Sequence, residues 1–305
     1  MKKYNAITFA AFTPAGTYSR PEVMDSLNAA LDTGANMIVL APTGYQATPH
    51  SEEITYNETC TDEELINMAE YIHSKGVQVC LKPITQCKDG TWRAFINFFD
   101  KDVVCEPKWS NWFKSYTAFI CHYAELAEKV NAEMFIAGCE MVMSERREAE
   151  WRQVIADIKK VYSGPVCYNT DKYQEDNVQW WDAVDIIGAS GYYPIDNWEE
   201  QLDRIEAVVK KFNRPFFFAE YGCMSVEGSS NIPNKWDLPG GINLQEQADW
   251  YAAAHEAINK RDWIIGTCVW DWAAVLYKKE QAVENRGYDT YGKPAELEIR
   301  KQFKG

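Results

Sequence analysis

Two glutamates stand where apolar runs stop. Met134-Phe135-Ile136-Ala137-Gly138-Cys139 runs into Glu140, and Pro215-Phe216-Phe217-Phe218-Ala219 runs into Glu220. A carboxylate at the end of a segment that should be buried is costly unless it is paired or useful. Two such carboxyls suit one chemistry in particular, the cleavage of a glycosidic bond. One protonates the leaving oxygen, and the other attacks, or activates water, on the opposite face of the sugar. The competing reading for either residue is a structural Glu held by Arg or by backbone amides.

Other polar residues fall near the same ends. Asn169 ends the fifth apolar run, Tyr192 and Tyr193 follow the sixth, Lys82 lies in the third, and Arg93 is in the loop beyond it. Each suits a substrate contact or a structural role equally well. The chain carries 12 Trp and 17 Tyr. Part of these must be core, but flat aromatic faces also pack on the C–H faces of sugar rings. Trp92, Trp236 and Trp272 are candidate sugar platforms. Trp180 and Trp181, beside a helical segment, read as packing.

The elements that must position these residues alternate. Eight short apolar runs read as strands: Ala6–Phe12, Met37–Ala41, Val77–Ile84, Met134–Cys139, Pro165–Tyr168, Ile186–Ser190, Pro215–Ala219 and Ile264–Trp270. Segments of helical period lie between them: Arg20–Thr33, Thr61–Lys75, Trp109–Val130, Arg147–Tyr162, Trp198–Phe212 and Leu244–Lys260. A short helix is expected over Gln174–Ala183, and Lys293–Phe303 should close the fold. Thr61-Asp62-Glu63-Glu64 has the form of a capping box. Strands alternating with helices imply a parallel sheet, and unalternated apolar runs imply burial on both faces. The fold class is therefore α/β, a single (β/α)8 barrel over residues 1–305. An open doubly wound sheet is the alternative, but no GxGxxG follows the first strand. The long connections Ile84–Lys108 and Gly222–Asn243 follow strands, where a barrel builds the rim of its active site.

Composition narrows the function class. The 305 residues, 46% hydrophobic and 25% charged, describe an ordinary globular protein with a sizeable core. A net charge of −14 repels phosphates and anionic lipid, so neither nucleic acid nor membrane is an expected partner. No stretch approaches the roughly 20 apolar residues of a membrane span. The Met1-Lys2-Lys3 start lacks the long apolar run and cleavage site of a signal peptide. Nine cysteines without regular spacing, among them Cys80, Cys139, Cys167 and Cys268 in apolar runs, read as free thiols in a reducing compartment. The expected location is cytoplasmic. His50 lies in a loop that can reach a cleft, whereas His73, His122 and His255 fall in helices; the four show no ligand spacing. No metal and no organic cofactor is expected.

Several segments together resemble clan A glycoside hydrolases, and within the clan glycoside hydrolase family 113, known for β-1,4-mannan hydrolysis. They are Gly90-Thr91-Trp92-Arg93, Tyr123-Ala124-Glu125-Leu126-Ala127, Gly138-Cys139-Glu140-Met141, Trp151-Arg152, Tyr162-Ser163-Gly164, Phe218-Ala219-Glu220-Tyr221-Gly222 and Trp270-Asp271. They fall in one order over nearly the whole chain. The resemblance implies a retaining mechanism with Glu140 as acid/base and Glu220 as nucleophile. It also implies that Trp270, at the end of the eighth strand, floors the subsite beside the scissile bond. An aromatic hydroxyl after the sixth strand, here Tyr192 or Tyr193, can contact a catalytic Glu in such enzymes. One position departs from the pattern: many clan members place Asn just before the acid/base to bind the sugar 2-hydroxyl, and here that residue is Cys139.

The expected substrate is an oligosaccharide or polysaccharide with β-1,4-mannosidic bonds, cut in endo or exo fashion. The same mechanism on β-xylan or β-glucan, and a non-catalytic carbohydrate-binding barrel, are the alternatives. Retention calls for carboxyls about 5–5.5 Å apart, against about 6.5–9.5 Å for an inverting pair.

Overall fold

Unalternated apolar runs cannot leave either face in water, and the chain wraps them accordingly. The computed structural model describes residues 3–304. In chain order the strands are β1 (Tyr4–Phe9), β2 (Met37–Leu40), β3 (Thr43–Gln46), β4 (Gln78–Leu81), β5 (Ile84–Cys87), β6 (Met134–Cys139), β7 (Val166–Thr170), β8 (Ile186–Gly191), β9 (Phe216–Tyr221) and β10 (Ile264–Trp272). All but β3 and β5 close into one barrel, with β1 pairing β2 on one side and β10 on the other. Every barrel pairing is parallel. The expected (β/α)8 barrel is what forms.

Inward side chains of mixed size fill the barrel, among them Ala6, Met37, Val39, Cys80, Ile136, Cys167, Phe217 and Cys268. Outward side chains join a larger core under the helices α1 (Pro21–Leu31), α2 (Asp62–Ser74), α3 (Trp109–Lys129), α4 (Glu148–Val161), α5 (Trp198–Phe212), α6 (Leu244–Asn259) and α7 (Pro294–Lys304). Trp180 and Trp181 belong to that core, as expected. The capping box at the start of α2 forms: Thr61 Oγ1 accepts from the Glu64 N–H, and the Glu64 carboxylate accepts from the Thr61 N–H.

Three local expectations are corrected. The run Val77–Ile84 is two strands, because Pro83 has no N–H for a ladder; Ile84 opens β5, which pairs with β3 in a small parallel sheet beside the mouth. The first run ends at Phe9, where Ala10 and then Phe12 take left-handed backbone angles. The helix expected over Gln174–Ala183 shrinks to a 3-10 turn at Trp181–Ala183. There the Trp181 indole N–H donates to the Glu175 carbonyl, which fixes a turn in place of a helix.

Candidate active site

Parallel strands all end at one face of the barrel, so residues just beyond them share one mouth. Glu140 follows β6 directly and Glu220 sits within β9, one residue from its end. Both line a cleft of about 940 Å³ over the barrel. Glu140 takes φ 53°, a left-handed angle unusual for a non-glycine residue and worth about 1–3 kcal/mol of strain. Its N–H still donates to the Asn169 carbonyl at 2.7 Å. Gly138, two residues earlier, is required by packing: a Cβ there would lie 2.8 Å from the Tyr116 hydroxyl and from a ring carbon of Tyr168.

Glu220 is held by three donors. Lys82, with no exposure at all, donates to Oε1 through its ammonium in a tight ion pair. The Cys139 thiol donates to the same oxygen at 3.2 Å, and the Tyr192 hydroxyl to Oε2 at 2.9 Å. Burial would push the Glu220 carboxyl up, but Lys82 and Arg93, with the bonds from Lys82 and Cys139, bring it below its ordinary value. Burial and the neighbouring Glu220 raise the Tyr192 phenol well above its usual range, so it remains a donor.

Glu140 is held differently. Arg93 Nη2 donates to Oε2 at 2.7 Å, the Trp92 indole N–H donates to the same oxygen at 3.1 Å, and the Ser190 hydroxyl to Oε1 at 2.7 Å. Arg93 also grips the Cys139 carbonyl through Nε at 3.0 Å and Gln86 through Nη1 at 3.2 Å. One guanidinium thus orients the loop, the strand end and the carboxylate together. Asp171 stands on the same wall; burial and the charge of Glu140 push its carboxyl up to about 7, against the pull of Lys172. The arrangement sets an anion, fixed and facing the cleft, across from a second carboxyl with its own donors.

The other expected residues divide. Trp270, Trp92, Trp236, Arg93 and Tyr192 line the cleft. Trp270 has Phe12 edge-on at 5.8 Å and the Lys82 ammonium 5.6 Å from its ring centre. Trp236 is 77% exposed on the rim and Trp92 37%. Lys82 lies behind Glu220 and touches that carboxylate, not the cleft. Asn169 is equally buried, its amide donating to the Thr170 carbonyl and to Ser190, one step behind Glu140. Tyr193 points away from the mouth and donates to Glu175; successive residues leaving a strand face opposite sides, so only Tyr192 reaches the cleft. Trp272 is core, its indole N–H bonded to the Ser26 carbonyl under α1 at 3.1 Å. His50 is tied to the Asn97 carbonyl at 2.8 Å and does not line the cleft.

Residues not anticipated also line it: Asp171, Lys172, Tyr288, Gln86 and Phe12. Asp171 and Ser190 were open to the strand-end rule, since they stand at or just past the ends of β7 and β8. Tyr288 comes from the long segment after β10 and carries no local signal. Among the described residues, no group of three or more His, Cys, Asp or Glu could hold a metal ion.

A closed parallel barrel with a carboxyl pair over the C-terminal mouth is the architecture of a (β/α)8 glycoside hydrolase. The sequence profile of glycoside hydrolase family 113 matches residues 7–293, and the chain belongs to that family. Two solved structures of a family 113 β-1,4-mannanase, one of them a complex, are 47% identical over the whole of both chains, with TM-scores of 0.98 and 0.97. The family 113 β-mannanase AaManA from Alicyclobacillus acidocaldarius, solved in complex with ManMIm, is 38% identical with a TM-score of 0.96. That match covers 100% of this chain and 98% of the other. No curated protein matches the chain.

Proposed function

We propose that the protein hydrolyses β-1,4-linked mannosides, in mannan or manno-oligosaccharides, by double displacement. Glu220 is the nucleophile and Glu140 the general acid/base. The observation that carries the assignment is the state of Glu220. Glu220 is buried yet held ionised by Lys82, Cys139 and Tyr192, the state an attacking carboxylate needs. Glu140 faces it from the wall that carries Arg93 and Trp92. In the first step Glu140 gives its proton to the leaving oxygen while Glu220 attacks the anomeric carbon. Glycosylation removes the charge of Glu220. Glu140, now ionised, takes a proton from water, which displaces the sugar. Trp270 is the floor of the subsite that holds the sugar attacked by Glu220, with Trp92 and Trp236 as platforms along the rest of the cleft.

Mannose as the sugar is supported by the β-1,4-mannanases that share 47% of this sequence. Cys139 stands where many clan members use Asn for the 2-hydroxyl, and its thiol is directed at Glu220. A panel of aryl β-mannoside, β-xyloside and β-glucoside with the matching oligosaccharides tests the reading. Turnover confined to the mannosides is expected. Preference for xylosides or glucosides would move the substrate, and binding without turnover would make the barrel a carbohydrate-binding protein.

The chain 1–305 is read as one catalytic domain. A cytoplasmic location is supported by the cysteines, all nine of which are free thiols. Among the described residues no helix is long and apolar enough to cross a membrane.

A further inference from the structure

Asp171 and Lys172 follow the last residue of β7, on the rim next to Glu140. Both line the cleft, and their side chains keep only 9% and 13% of their exposure. The Lys172 ammonium lies 3.2 and 3.1 Å from the two Asp171 carboxylate oxygens. It also stands 5.6 Å from the centre of the Trp92 ring, whose indole N–H reaches Glu140. An ion pair withdrawn this far from water loses hydration that its own attraction repays only with further hydrogen bonds. Neither side chain bonds Glu140 or Glu220, and nothing in the double displacement uses them. What they face is the cleft.

We infer that Asp171, Lys172 and Trp92 form the subsite that grips the leaving-group sugar through its hydroxyl groups. The inference rests on Glu140 being the proton donor. The leaving oxygen must then sit at Glu140, and the sugar that departs with it lies along the wall that carries Glu140. Glu220, Trp270 and Phe12 bound the other side. The chemistry of the trio fits a neutral sugar. A carboxylate accepts from adjacent hydroxyls, an ammonium donates to hydroxyl oxygens, and an indole face packs on C–H groups.

The test compares two leaving groups in one enzyme. 4-Nitrophenyl β-mannoside releases 4-nitrophenol, a leaving group without sugar hydroxyls; mannotetraose releases a mannose unit or oligomer. For Asp171→Asn and Lys172→Met, the ratio of kcat/KM on mannotetraose to kcat/KM on the aryl mannoside should fall tenfold or more. Hydrogen bonds to charged groups are worth about 1.5–3 kcal/mol, or roughly 10–150-fold. A purely structural role lowers both substrates together and leaves the ratio unchanged, which would overturn the inference. So would an unchanged mannotetraose kcat/KM. If one variant does not fold, as judged by its thermal melt, the ratio in the other decides, with Lys172→Gln in reserve. Wild-type turnover of the aryl mannoside is measured first, so a failure of the mannosidase reading is seen separately.

Discussion

Lys82 and Glu220 form an ion pair closed off from solvent, the ammonium fully buried and the carboxylate nearly so. The lysine stands just past the end of β4 and the glutamate within β9, so the barrel itself sets their distance. Burial raises a carboxyl and lowers an amine, yet here the neighbours overcome it in both. Lys82 and Arg93 hold Glu220 below its ordinary value, and Cys139 and Glu220 hold Lys82 above its own. Removing Lys82 leaves burial of Glu220 less opposed. Lys82→Met should therefore cut kcat/KM by at least 100-fold and move its acid limb to higher pH. Lys82→Arg should restore part of both. An acid limb that does not move would show that Lys82 does not set the charge of Glu220.

The two carboxyls should behave differently when removed. Glu220→Ala should be nearly inactive on every substrate, because no covalent intermediate can form. Glu140→Ala should be impaired on oligosaccharides but less so in the first step with a leaving group that needs no proton. Added azide should then rescue that variant and yield a β-glycosyl azide. An α-glycosyl azide would reverse the assignment.

Trp270 and Trp272 lie two residues apart and should part company under mutation. Trp270→Ala removes the cleft floor and should lower kcat/KM by roughly 10–100-fold, since a misplaced ring loses its alignment for attack. Trp272→Ala opens a hole under α1 and should cost about 3–5 kcal/mol of stability. Thermal melts and kinetics on the two purified variants separate these outcomes. A large loss of stability in Trp270→Ala with normal turnover would refute the division.

His255, on α6, is buried against the Tyr221 hydroxyl at 2.9 Å. Burial, with Lys301 nearby, lowers its imidazole to about 3. The unfolded chain binds this proton from about pH 6.5 downward, whereas the folded chain does not until about pH 3. The contribution of His255 is thus neutral above about pH 6.5 and becomes destabilising as pH falls between those values. The difference in unfolding free energy between wild type and His255→Gln, measured by denaturant titration, should shift against the wild type by a few kcal/mol as pH drops from 7 to 4. A difference constant over that range would contradict it. Asp271, pushed up to about 7 by burial and by Asp289, works in the opposite direction in both proteins, so the difference between the two is the quantity to follow.

Much of this was legible in the residues. Strand-end glutamates are visible because an apolar run stops on a charge, and the barrel follows from eight such runs with helical segments between them. The helical period of Trp198–Phe212 coincides with the bounds of α5. What stayed hidden depends on side-chain direction and on distance. Tyr192 and Tyr193 are alike in sequence, and only the twist of the chain leaving β8 decides which one meets Glu220. Lys82 reads as a possible substrate contact, yet it faces a glutamate 138 residues away through the barrel interior. Trp272 looks like a platform until α1 is laid over it. Tyr288 reaches the cleft from an irregular segment whose path is set by tertiary contacts, such as its hydroxyl on the Pro233 carbonyl.

The central claim is retention through a Glu220 glycosyl intermediate. Proton NMR of the first sugar released by wild-type enzyme from a β-mannoside, recorded before mutarotation, tests it most directly. The account predicts that the β-anomer appears first and the α-anomer grows in only by mutarotation. First-formed α-anomer would mean a water attacks in place of Glu220, and would contradict the account.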